Sequence, residues 1–254
     1  MGPSGKTNLP MKLAGTVRRT YTSIVPAHVR ARLERVLAGP YPRVYDRRRF
    51  IFIHIPKTAG KSVGRMIGVR GARHLKYRDY EAILGEVIHD YFVFTVVRHP
   101  LDRLISAWSY MEGGGNHSQD DLAFRDRFIR PFSSLDDFVL HALRESEVRT
   151  LETFMPQVEF LKDMSGHPVD AIKIIRFEFL REGVEALPPH ILKRPKLEHI
   201  NSSVRRPVEL SDKALATVAD LYREDFQLLD YLVSWIPDGP REVDPSGWTV
   251  SASL

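Results

Sequence analysis

Phe50-Ile-Phe-Ile-His-Ile-Pro-Lys-Thr-Ala-Gly-Lys-Ser-Val63 changes character twice in one short stretch. Phe50 to Ile55 is an apolar run of β-forming residues stopped by Pro56, the pattern of a buried strand. Lys61 to Ile67 then opens a helix, with a tight loop between the two. Backbone N–H groups at such a helix start lack intrahelical acceptors. They point outward with the positive end of the helix dipole behind them, which suits an anion. Gly60 is expected to let the backbone approach that anion closely. Lys57 and Lys61 add charge, and Thr58 and Ser62 add hydroxyl donors.

Outward from this loop, Tyr91 to Val97 is a second buried strand, ending in Val97-Arg98-His99-Pro100. A helix follows, entered at Pro100, with Leu101, Leu104, Ile105, Trp108 and Met111 as its apolar stripe. Asp102, Ser106 and Ser109 lie off that stripe. Arg98 stands at the carboxyl end of a strand, where open α/β sheets bind ligands. With Ser106 it can clamp a second phosphate through charge-assisted hydrogen bonds. The alternative is a structural ion pair for Arg98.

Gly113, Gly114 and Gly115 predict a mobile loop through Asp121. Ser134 and Asp137 resemble a capping box before Leu135, Phe138, Val139 and Leu143. Ala171 to Phe177 reads as a third strand, and Pro188 to Pro207 as a polar loop. Ser211 can cap a last helix that turns Leu215, Val218, Tyr222, Phe226 and Leu229 inward. Strands alternating with helices predict an α/β fold: a P-loop-like three-layer sandwich with a central parallel sheet flanked by helices. This domain spans residues 50–236. Residues 1–49 form a tail with a short amphipathic helix (Val29, Leu33, Val36, Leu37) carrying Arg30, Arg32 and Arg35, and residues 237–254 an irregular tail.

Composition narrows the function classes. The chain of 254 residues has no cysteine, which excludes disulfides, thiolate metal ligands and a cysteine nucleophile. It holds no run of about 18 apolar residues and no secretory signal, so a cytoplasmic protein without a transmembrane segment is expected. The 37 Lys and Arg against 32 Asp and Glu fit an anionic ligand. No aromatic-rich basic repeat favours nucleic acid. Gly60-Lys61-Ser62 matches the end of a Walker A loop, but Ile55 stands where its first glycine belongs. The second strand ends in Arg98 rather than in a magnesium-binding Asp. His117 near Asp120 and Asp121 reads as a solvated loop, and no metal requirement is expected.

Taken together, the loop and the Arg98-His99-Pro100…Ser106 segment resemble the two nucleotide-binding signatures of sulfotransferases that use 3′-phosphoadenosine 5′-phosphosulfate (PAPS) and release 3′-phosphoadenosine 5′-phosphate (PAP). The nearer likeness is to carbohydrate sulfotransferases of the heparan sulfate 2-O- and chondroitin/dermatan type. It runs from about Phe50 to Tyr231 and includes Met155-Pro156-Gln157, Arg176-Phe177-Glu178-Phe179-Leu180, His199-Ile-Asn-Ser-Ser203, Tyr222-Arg-Glu-Asp-Phe226 and Tyr231. The resemblance implies that Pro56, Lys57, Thr58, Ala59, Gly60, Lys61 and Ser62 hold the 5′-phosphosulfate, and that Arg98 and Ser106 hold the 3′-phosphate. It also implies that Ser202, Ser203, Arg205 and Arg206 lie in a segment covering the nucleotide. Neither the membrane anchor nor the disulfides of the Golgi enzymes are expected of this chain, which has no cysteine.

Sulfuryl transfer needs an aligned acceptor oxygen, neutralisation of charge on the leaving phosphate, and a base for the acceptor hydroxyl. Lys57 is the candidate on the leaving-group side. His74, in Arg73-His-Leu-Lys-Tyr-Arg-Asp79, is the leading base, its setting resembling the segment that bears the catalytic His in 2-O-sulfotransferases. Glu81, Glu86 and His89 are alternatives, while His54 reads as a packed strand residue. The expected acceptor is a hydroxyl-bearing carbohydrate, and Arg125 to Arg130 hint that it is anionic. Two other classes compete: a magnesium-dependent nucleotide kinase, and a PAP- or glycan-binding module without activity.

Overall fold

The computed structural model describes residues 42–69, 73–193, 208–232 and 248–249. The expected helix at Val29–Leu37, the His199–Ser203 segment and Ser202, Ser203, Arg205 and Arg206 lie outside them. The elements run α1 (Arg43–Arg48), β1 (Phe50–Ile53), α2 (Gly60–Ile67), α3 (Tyr77–Leu84), β2 (Phe92–Val97) and α4 (Pro100–Glu112). They continue as α5 (Gln119–Phe128), α6 (Leu135–His141), α7 (Ser146–Thr150), β3 (Lys173–Arg176), α8 (Leu180–Glu185), α9 (Asp212–Leu221), α10 (Arg223–Leu228) and β4 (Trp248–Thr249).

β1, β2 and β3 are parallel neighbours, with Phe50 opposite Phe92 and Thr95 opposite Ile174. Every residue of β1 is fully buried, so both its faces are covered by other elements. That is why the strand is apolar throughout instead of alternating. Phe52 stacks on Phe94 at 5.0 Å, and Tyr45 of α1 meets Phe50 edge-on at 5.0 Å. The Tyr45 hydroxyl donates to the Phe52 carbonyl at 3.2 Å. β4, in the stretch read as an irregular tail, pairs antiparallel to β3.

A second apolar cluster holds α4, α6 and α9 together through Leu104, Phe138 and Val218. Ser134 caps α6 and Ser211 caps α9 as the sequence predicts, each hydroxyl accepting an N–H three residues on. Two expectations change. The glycine-rich stretch is no open loop to Asp121, because Ser118 caps α5 by accepting from the Asp121 N–H at 3.1 Å. The glycines masked an ordinary cap signal. The last helix is broken at Tyr222, whose hydroxyl donates to the Phe154 carbonyl at 2.7 Å.

Beyond that break, Asp225 is fully buried and accepts from the N–H groups of Gln157 (2.8 Å) and Val158 (2.9 Å). Burial pushes its carboxyl up, against the pull of these two N–H groups and of Arg103. Asp225→Ala strands both donors without water. Urea unfolding should show a loss of about 3 kcal/mol, and an unchanged midpoint would contradict this account of the bonds.

Candidate functional site

β1 delivers the chain into a turn with two left-handed residues, Lys57 (φ 72°) and Ala59 (φ 64°). Gly60 is not one of them, so its expected role changes. A Cβ there would stand 1.8 Å from both Cδ2 and Nε2 of His54. The glycine makes room for a ring already pressed between Phe52 (5.8 Å) and His74 (4.6 Å). Gly60→Ala should therefore destabilise the protein by about 1–3 kcal/mol. Adding His54→Ala should recover most of that loss in a thermal unfolding cycle, and two additive penalties would refute the clash.

The Thr58 hydroxyl is directed back to the Ile55 carbonyl at 2.9 Å, so its proton serves the turn rather than a ligand. Ser62 is buried and Lys61 exposed. The N–H groups of Thr58, Ala59, Gly60 and Lys61 meet no acceptor among the described residues. They form a row of donors at the start of α2.

Lys57 and Arg98 come together. Nη1 of Arg98 donates to the Lys57 carbonyl at 3.3 Å. Nε (2.7 Å) and Nη2 (2.6 Å) bind Oδ2 of Asp102, and the guanidinium lies 4.5 Å from the Phe177 ring centre. The two alternatives for Arg98, anion clamp and ion pair, thus combine in part: it is ion-paired, yet one N–H on each of Nη1 and Nη2 remains for another acceptor. Asp102, Ser106 and Tyr110 recur at helical spacing on α4. Asp102 meets Arg98, and Tyr110 lies 4.1 Å from Nζ of Lys57, so Ser106 falls between the two cations on this face.

Lys57 makes no ion pair among the described residues. Burial, then the charges of Arg98, Lys61 and Arg103, push its ammonium down to about 8. Such a cluster of cations beside unpaired N–H groups gains by taking up an anion.

Residues not read as functional hold this geometry. Arg103, fully buried, donates to the carbonyls of Pro56 (3.0 Å), Met155 (2.8 Å) and Glu152 (3.2 Å). Gln157 clasps Arg98 by its backbone, accepting from its N–H (2.9 Å) and donating to its carbonyl (2.7 Å). Glu178 accepts from the His99 N–H and the Tyr231 hydroxyl, both at 2.9 Å. The signal for Arg103 was a cation among the buried positions Leu104, Ala107 and Met111. Gln157 and Glu178 stand in two of the segments that carry the family resemblance, but nothing in their own neighbourhood pointed to these bonds.

His74, half-buried, packs edge-on against His54 and so stands beside the loop. Its Nδ1 bonds Oε2 of Glu152 at 2.8 Å. The alternative bases are occupied elsewhere: Glu81 accepts from the Met164 N–H, and Glu86 and His89 face each other at the exposed surface. Arg125 and Arg130 pair with Asp126 and Arg127 with Glu147, so this segment offers less positive charge than its composition suggested. Among the described residues no acidic or histidine cluster suits a metal ion, and no helix is long and apolar enough to cross a membrane.

Comparison with known proteins gives one match: a family model described as the sulfotransferase family, over residues 42–232. No curated protein and no solved structure matches the chain.

Proposed function

The chain belongs to the sulfotransferase family, and on that premise we propose that it transfers a sulfuryl group from PAPS to a hydroxyl of a carbohydrate. The observation that carries the donor assignment is the 3.3 Å contact between Arg98 and the Lys57 carbonyl, which joins the two anion-binding elements at one place. Together with α2 they make a P-loop-like arrangement of strand, turn and helix.

The residues present suit a bisphosphorylated nucleotide. The N–H row from Thr58 to Lys61, with Lys57, would hold the 5′-phosphosulfate; the spare N–H groups of Arg98 and the Ser106 hydroxyl would hold the 3′-phosphate. Ala59 acts through its N–H and Ser62 from the first turn of the helix, while Pro56, which has no N–H, shapes the turn with its carbonyl held by Arg103. Ser202, Ser203, Arg205 and Arg206 are assigned to covering the nucleotide. When bound, PAPS supplies the sulfuryl group and a phosphate leaving group. Lys57 offsets the negative charge that grows on the leaving side, where a fixed ammonium stabilises the transition state more than the ground state. His74 removes the acceptor proton at Nε2. The carbohydrate assignment draws on the motif resemblance.

PAP should raise the melting temperature without metal, and magnesium-ATP should not. Labelled PAPS offered to a library of hydroxyl acceptors, read by mass spectrometry, should give a sulfated sugar. Stabilisation by magnesium-ATP alone would indicate a kinase instead. Binding of PAP with no transfer to any acceptor would indicate a binding module.

A further inference from the structure

Glu152 is an exposed residue in the segment between α7 and β3, far in sequence from every motif that suggested a nucleotide site. Its carboxylate nevertheless reaches His74, where Oε2 lies 2.8 Å from Nδ1. A carboxylate only accepts, so Nδ1 carries the proton and Nε2 presents its lone pair. Its backbone is held as well: Arg103 donates to the Glu152 carbonyl at 3.2 Å and to the Pro56 carbonyl at 3.0 Å. One buried guanidinium therefore ties the support of His74 to the anion-binding turn. On its other side the His74 ring rests edge-on, at 4.6 Å, against His54, which fills the space left by Gly60.

We infer that Glu152 is a positioning residue for His74, setting its tautomer and aiming Nε2 at the acceptor hydroxyl. This rests on the reading of His74 as the base. The acceptor O–H bond breaks with its proton passing to Nε2. The oxygen keeps that electron pair and bonds sulfur, while the sulfur–phosphate oxygen bond breaks with its pair leaving on the phosphate. Glu152 takes no proton; it keeps the Nδ1–H bond and faces the imidazolium that results. The other charged or titratable groups around the ring are His54 from the end of β1, Arg73 beside it in the chain, and Lys76 at the start of α3, whose ammonium senses Glu152.

The test uses Glu152→Gln and Glu152→Ala in the full chain, with Glu152→Asp as the conservative variant. Imidazole nitrogen NMR on the protein without nucleotide, at a pH where the ring is neutral, should find the Nδ1–H form of His74 dominant. In Glu152→Ala and Glu152→Gln the Nε2–H form should gain at its expense. Turnover (kcat) should fall roughly 10- to 100-fold, part of the range a placed base contributes, with acceptor KM and PAP affinity unchanged. Glu152→Asp should restore part of both. An unchanged tautomer ratio in Glu152→Ala overturns the inference, as does unchanged kcat, provided His74→Ala is inactive. Should His74→Ala remain active, the base assignment falls instead, and the tautomer measurement alone decides whether Glu152 orients the ring.

Discussion

Lys57→Met should give a protein that melts higher than the parent at neutral pH and has lost transfer. In the folded chain the Lys57 ammonium is pushed down to about 8 from 10.5, by burial first and then by Arg98, Lys61 and Arg103. Between these two values the unfolded chain binds more protons than the folded one, so stability rises with pH across that window. Below about 8 both states are protonated and the cost of the confined charge is present in full. Allowing for partial exposure to water, that cost is roughly 2 kcal/mol. Methionine keeps the length of the side chain and removes the charge, so the melting temperature should climb by about 5 °C at pH 7, with the gain shrinking towards pH 10.5. Transfer should drop about 10²- to 10³-fold, the usual loss when one fixed charge facing a leaving oxygen is removed. In the parent, kcat/KM should decline as pH rises through about 8, because only the protonated amine serves the leaving phosphate. PAP binding near that pH should take up a proton, seen as a buffer-dependent binding enthalpy. Calorimetry against pH checks the stability half, and a melting point that falls in Lys57→Met would contradict it.

His74→Ala should lower kcat by about 10² to 10⁴ while PAP still binds as in the parent. Among the described residues His74 meets the ring of His54 and the carboxylate of Glu152 rather than the turn itself, so its removal should leave the donor side in place. It is half-buried and bonded by Nδ1 to Glu152, which leaves Nε2 as the atom that can meet a substrate. Single-turnover kinetics with labelled PAPS, alongside calorimetric PAP titration, separates the two contributions. Loss of PAP affinity equal to the loss of rate would place His74 in nucleotide binding. Full turnover would move the base elsewhere.

Several of these residues are legible in the amino-acid sequence alone. The apolar runs at Phe50 and Tyr91, and Ser134 and Ser211 ahead of their helices, carry signals spread over a few neighbours in the chain. The same holds for Lys57 and Arg98, each at the end of such a run. Glu152 is not legible, because a lone Glu in a polar stretch looks like any solvated side chain. Nor is the reason for Gly60: backbone freedom is the usual ground for a loop glycine, whereas here the constraint is the imidazole of His54.

The positions of β1, β2, β3, α2, α4, α6 and the start of α9, the parallel α/β arrangement and the two cationic strand ends follow from hydrophobic period and turn chemistry, which are local properties of the chain. The meeting of Lys57 with Arg98, the clasp of Gln157 on Arg98, the seat of Asp225 and the bond from Glu152 to His74 emerge only on folding. Each joins segments tens of residues apart, and all but the exposed Glu152 do so through buried or half-buried groups. Such pairings leave no periodic trace, since each partner's position is set by burial of the apolar residues around it rather than by its own neighbours in sequence.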